Sequence, residues 1–188
     1  MQSLTLFFKT KIWNNQANRF LFSFLSLTLL FYFFNLCFIG ITAQGSFYLA
    51  FIDKHLNYIK GLRDLLIETS AAILRLCGFK IRTSPFILHI NGYGGVILVY
   101  SCLGYALMGT LTAFAISWPG KKLLDRVIFI LIGIIIIQAL NVARFIGISL
   151  LARRVSNLRT IDHHTIFNAI VYLVLVAFTY FWTKEKTR

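Results

Sequence analysis

Apolar residues dominate four stretches of the chain, at residues 19–42, 93–118, 127–151 and 164–183. Each is close to the ~20 residues an α-helix needs to cross a hydrocarbon core. Between the first two stretches the pattern changes. Leu62, Leu65, Leu66, Thr69, Ile73 and Leu76 recur at intervals of three and four among Asp53, Lys54, Lys60, Arg63, Asp64, Glu68 and Arg75. That spacing predicts an amphipathic helix, lying in the membrane interface or over a bundle. A dip of residues 65–79 into the membrane is the alternative, disfavoured by its shortness and by Glu68 and Arg75. Residues 79–90 then alternate loosely around Pro85 and run into Gly92, Gly94 and Gly95, which predicts an extended or hairpin segment packed over the next helix entrance. The expected fold is therefore all-α. It is a polytopic transmembrane helical bundle of about four spans forming one integral membrane domain over 1–188, with the amphipathic and extended region at 43–91.

Composition supports the pattern and adds a charge. The chain is 58% hydrophobic with mean hydropathy +0.76, too apolar for a soluble domain of 188 residues. Its net charge is nevertheless +13, and much of it sits at segment ends: Lys9, Lys11 and Arg19; Lys121, Lys122 and Arg126; Lys184, Lys186 and Arg188. Basic clusters flanking apolar spans set topology and touch anionic lipid. They predict a multi-pass protein of the cytoplasmic (inner) membrane with both ends inside and 43–91 outside. Arg153, Arg154 and Arg159 then fall in an outer loop, against the rule. No soluble basic domain is present to bind nucleic acid. The basic start of the chain precedes an apolar run too long for the core of a signal peptide, so that run is expected to be a retained first helix.

Three cysteines, Cys37, Cys77 and Cys102, are widely and irregularly spaced. They form no CxxC pair, and His163 and His164 are adjacent, a poor spacing for two ligands on one helix face. Neither a metal site nor any other cofactor is expected.

Arg144 is the one charge between Val127 and Leu151. A guanidinium inside an apolar span costs several kcal/mol unless compensated, so it marks a functional site by default. It closes a polar stripe, Gln138, Asn141, Arg144, on one helix face. Counted from the helix ends, Cys102 and Arg144 both lie ~10 Å below the outer surface, and His164 opens the last span at that surface. A cation beside a thiol favours its nucleophilic form, and an imidazole can exchange protons near neutral pH. Asn168, four residues after His164, lies on the same face and could orient the ring; His163 points ~100° away. Asp162 could instead simply cap a helix that begins with two surface histidines. For Cys102 the plain alternative is a small apolar group in lipid. For Arg144 it is a side chain that snorkels or pairs with a carboxylate.

At these residues the chain resembles the exosortase/archaeosortase family of membrane-embedded cysteine transpeptidases. The resemblance runs from about Gly78 onward. It rests on Cys102 and Gly104 at the start of a span, on Pro119 with Lys121 and Lys122, on Asn141 and Arg144, and on His164 and Asn168 at the head of the last span. The chain departs from the family pattern in having Leu103 between Cys102 and Gly104 and an asparagine at Asn168, and in its shortness. The resemblance implies Cys102, Arg144 and His164 as catalytic residues, with His163, Asn141 and Asn168 in support. It also implies exported proteins as partners, bearing a C-terminal motif, a transmembrane helix and a basic tail, besides the membrane lipid itself. The competing classes are a small membrane transporter subunit, with Arg144, Gln138 and Asn141 lining a polar path, and a non-enzymatic assembly protein of export or polysaccharide machinery, with the polar residues as helix glue.

Overall fold

The computed structural model describes residues 15–42, 47–151 and 163–184. In chain order these form α1 (Gln16–Thr42), α2 (Ala50–His55), α3 (Tyr58–Leu76), β1 (Ile81–Ser84), β2 (Ile87–Ile90), β3 (Gly94–Ile97), a 3-10 turn (Tyr100–Leu103), α4 (Tyr105–Ser117), α5 (Leu123–Leu151) and α6 (His163–Lys184). Three helical stretches, Gln16–Thr42, Leu123–Leu150 and Phe167–Lys184, are long and apolar enough to cross a membrane. Their large side chains point outward. On α1 no residue is buried, and Leu21, Phe22, Leu30, Phe33 and Phe34 are all exposed. Helices apolar on every face need a non-aqueous surround. The chain is a helical membrane protein, as the pattern of its apolar stretches predicts.

The second expected span, 93–118, is not one helix. Its first residues form β3 and the 3-10 turn, and α4 has only 13 residues, a length of ~20 Å. Two features end the helix early. Val96 and Ile97 pair with Leu88 and Ile87 and so belong to the sheet. Gly104 then adopts φ +78°, the left-handed conformation that breaks a helical run. Cys102 consequently lies in the turn ahead of α4, not several residues down a membrane helix.

The region between α1 and the sheet matches the expected amphipathic helix, with a different buried face. Asn57 caps α3 by accepting from the Lys60 N–H at 2.9 Å. The buried side chains are Leu66, Ile67, Ser70, Ala71 and Leu74. Leu65, Ile73 and Leu76, members of the predicted apolar stripe, are exposed in the protein alone. The run Leu65–Leu66–Ile67 offers two apolar rows, and packing selected the one that includes Ala71, whose small side chain lets α5 approach. α3 covers the bundle: Leu66 and Ile67 pack with Leu98, Cys102, Leu103 and Phe145, while Ala71 and Leu74 pack with Leu88, Ile90 and, at the edge, Ile146 and Leu150.

The expected hairpin is a three-stranded antiparallel meander, β1-β2-β3, with Ile81 opposite Ile90 and Leu88 opposite Val96. Alternation puts Leu88 and Ile90 inward and Ile87 and His89 outward. Below the sheet, α4, α5 and α6 share a core of Leu111, Ala115, Phe129, Ile137, Val171, Leu175 and Trp182. α1 packs along α4, where Gly109 admits the Phe31 side chain; a Cβ there would lie 3.2 Å from Phe31 Cβ. At the far end of α4, Arg126 donates to the carbonyls of Ile116 at 2.8 Å and Trp118 at 2.9 Å. These are carbonyls that a terminating helix leaves without partners. One residue of the basic loop thus has a structural role as well as a topological one.

Candidate functional site

The site forms where the 3-10 turn is pressed onto α5. Cys102 and Arg144 are each 7% exposed. Arg144 Nη2 donates to Cys102 Sγ at 2.8 Å, and Nη1 donates to Asn168 Oδ1 at 3.2 Å. One guanidinium therefore joins the turn, α5 and α6. Its Nε is buried and has no hydrogen-bond partner among the described residues. The ion pairs among those residues, Arg63–Asp64 and Arg75–Glu68, lie on α3. The described partners of Arg144 are thus a thiol and an amide oxygen, with no carboxylate among them. A buried cation compensated only by neutral acceptors keeps much of its charge available to a ligand.

The turn is held at several points. Gln138 Nε2 donates to the Leu103 carbonyl at 3.3 Å and touches Met108 Sδ at 3.2 Å, and Asn141 Nδ2 donates to Gln138 Oε1 at 3.3 Å. A Cβ on Gly104 would stand 2.9 Å from Asn141 Nδ2 and 3.0 Å from Ile137 Cγ2. Glycine at this position therefore serves both its positive φ and the close approach of the turn to α5. From the opposite side, the Tyr100 hydroxyl donates to Asn35 Oδ1 on α1 at 3.2 Å, and the Tyr58 hydroxyl donates to the same oxygen at 2.9 Å. The Tyr100 and Tyr105 rings stack with centroids 5.3 Å apart, and Tyr58 meets Tyr105 edge-on at 5.5 Å.

Of the residues singled out from the sequence, Cys102, Arg144 and Asn168 meet directly, and Asn141 lies one helical turn from Arg144. Asn168 Oδ1 accepts from Arg144 and so helps to hold the cation. α6 begins at His163, so both histidines stand in its first turn, with His164 on the helix face of Asn168. The side chains of His163 and His164 lie outside the described residues, as do Asp162 and Arg153, Arg154 and Arg159. The sequence assigns no role to Asn35, Tyr58 or Tyr100, and places Gln138 in the polar stripe without naming its partners. The available signal was Asn35, the sole carboxamide between Arg19 and Thr42 in an otherwise apolar span.

No protein-family model matches this chain, and no curated protein or solved structure does either. The chemistry must therefore be argued from the site. A thiol and a cation in contact, shielded by α3 and by Phe145, can support nucleophilic attack in which negative charge develops within reach of a fixed donor.

Proposed function

We propose that this chain is an exosortase-like cysteine protease and transpeptidase of the cytoplasmic membrane. In this reading it cleaves the C-terminal sorting signal of exported proteins at the outer face. The observation that carries it is the buried contact between Cys102 Sγ and Arg144 Nη2, 2.8 Å across 42 residues of sequence. Cys102 sulfur attacks the scissile carbonyl carbon, and its proton passes to a base, for which His164 is the candidate. Arg144 neutralises charge on the sulfur and then on the carbonyl oxygen of the tetrahedral intermediate. The C–N bond breaks, the amine leaves with the proton, and a thioester remains. An acceptor amine or water attacks the thioester and returns the thiol.

The test uses a substrate with an N-terminal tag and, at its C-terminus, a short motif, an apolar helix and a basic tail. It is expressed with the wild-type chain, with Cys102→Ala and with Cys102→Ser, and its size is followed by immunoblot. The expected result is tail loss with wild type alone, the variants being present in equal amount. Equal processing by all three would remove Cys102 from the chemistry.

A packing role is the second reading, favoured by one observation: the amides of Gln138 and Asn141 are spent on contacts within the bundle. Under it Cys102→Ser is tolerated and the variants differ only in stability.

A further inference from the structure

We propose that Gln138 is the positioning residue that seats the Cys102 turn against Arg144; this rests on the reading above. The carbonyl of Leu103 immediately follows Cys102 and ends a 3-10 turn, where helical partners run out. Gln138 Nε2 fills that role at 3.3 Å, and its Oε1 is held in turn by Asn141 Nδ2 at 3.3 Å. Gln138 and Arg144 stand on one helix, ~9 Å apart along its axis. The same rigid element therefore grips the turn twice, at the carbonyl of Leu103 and at the sulfur of Cys102. Gly104 keeps the turn close enough for both grips, since any side chain there would strike Asn141 and Ile137. Without the Gln138 amide, Cys102 remains in the turn but pivots about its Arg144 contact and about Tyr100, which Asn35 holds from α1.

Gln138 touches neither the sulfur nor the guanidinium, so its role is separable from theirs. In a chain carrying Cys37→Ser and Cys77→Ser, Cys102 is the sole thiol. Its alkylation rate by N-ethylmaleimide then reports the seating of the turn directly, whether or not any substrate is processed. Gln138→Met keeps the length of the side chain and removes the amide. We expect alkylation about tenfold faster, the weight of one net hydrogen bond, with the thermal midpoint of the purified protein little changed. Tail processing is expected to fall by a similar factor in kcat, with KM unchanged.

Gln138→Glu supplies the second variant. Only its protonated form can donate to the Leu103 carbonyl, so its alkylation rate relative to the parent at the same pH rises as the acid ionises. A buried carboxylate that merely loosened the packing would also lower the thermal midpoint as it ionised, so the seating role requires the rate to rise while the midpoint follows that of the parent over the same pH range. An unchanged rate in Gln138→Met, or a pH-independent ratio in Gln138→Glu, overturns the assignment. Absence of processing by the parent chain would count against the transpeptidase reading and leave the alkylation result to decide the role of Gln138.

Discussion

At Arg144 one planar group serves two acceptors on two elements, Cys102 Sγ on the 3-10 turn and Asn168 Oδ1 on α6. An ammonium has three donors but gathers them on one nitrogen at the end of a flexible stem, so it lacks the fixed span between Nη1 and Nη2 that reaches both acceptors. Arg144→Lys should therefore fail where charge alone would succeed. Tail processing is expected to fall by about 100-fold or more, in the range for loss of one oriented donor, with protein levels near those of wild type. Processing near the wild-type rate would reduce the role of Arg144 to its charge. A second residue-scale prediction concerns Asp53. Its carboxylate accepts from Asn57 Nδ2 at 2.7 Å and from the Tyr48 hydroxyl at 2.9 Å. Those hydrogen bonds, Asn57 first, hold its pKa below the ordinary value of 3.8. A depressed folded-state pKa means the contribution is complete above the unfolded value and is lost as pH falls through the folded one. Amide protection at the start of α3, corrected for the intrinsic pH dependence of exchange, should thus be flat at and above neutral pH and fall below the ordinary carboxylate value. In Asp53→Asn that acid-dependent step should be missing.

Among the elements, α4 and α5 meet at Gly133. A Cβ there would lie 2.4 Å from Leu111 Cδ2 and 3.3 Å from Phe178 Cε1. Gly133→Ala should destabilise the protein by about 1–3 kcal/mol through overpacking, and Leu111→Ala by about 2–5 kcal/mol through a cavity. The cavity of one variant accepts the methyl of the other, so the double variant should lose less than the sum. Additive losses, read from unfolding of the purified protein, would show that the two helices do not meet there. Such contacts also explain what could be read from sequence and what could not. Continuous apolar runs reveal α1, α5 and α6 because lipid asks only for length and apolarity. The short α4 was hidden because Val96 and Ile97 suit a membrane helix and a strand equally well. Only pairing with β2 decides between them. Which apolar row of α3 faces the bundle was not legible for a related reason: two rows run along it, and tertiary packing rather than periodicity chose one. At the site, Cys102 and Arg144 were legible as reactive groups in unusual surroundings. Gln138 and Asn35 were not assigned, since a carboxamide in an apolar helix announces a hydrogen bond without naming its partner.

Over the whole molecule, exposure means two different things. Cys37 on α1 and Cys77 at the end of α3 are both exposed in the protein alone. Cys37 belongs to an apolar helix long enough to span a membrane, while Cys77 follows a helix that carries charges along its length. A water-soluble maleimide applied to membranes should modify Cys77 readily and leave Cys37 intact. Both should react once the membrane is replaced by denaturing detergent. Equal rates in membranes would take α1 out of the bilayer.

The shortness of α4 bears on the lipid as well as on the turn above it. α1 offers an apolar run over residues 20–42, ~35 Å of cylinder, beside a helix of 13 residues and ~20 Å. A hydrocarbon layer of ~30 Å matches neither. Tilt can absorb the excess of α1, but nothing in α4 can lengthen it, so the acyl chains beside it must shorten or disorder. The bilayer is thus expected to thin, and so to slope, from α1 toward α4. Lipids of longer chain would steepen that slope and tax the fold most where the 3-10 turn meets the membrane.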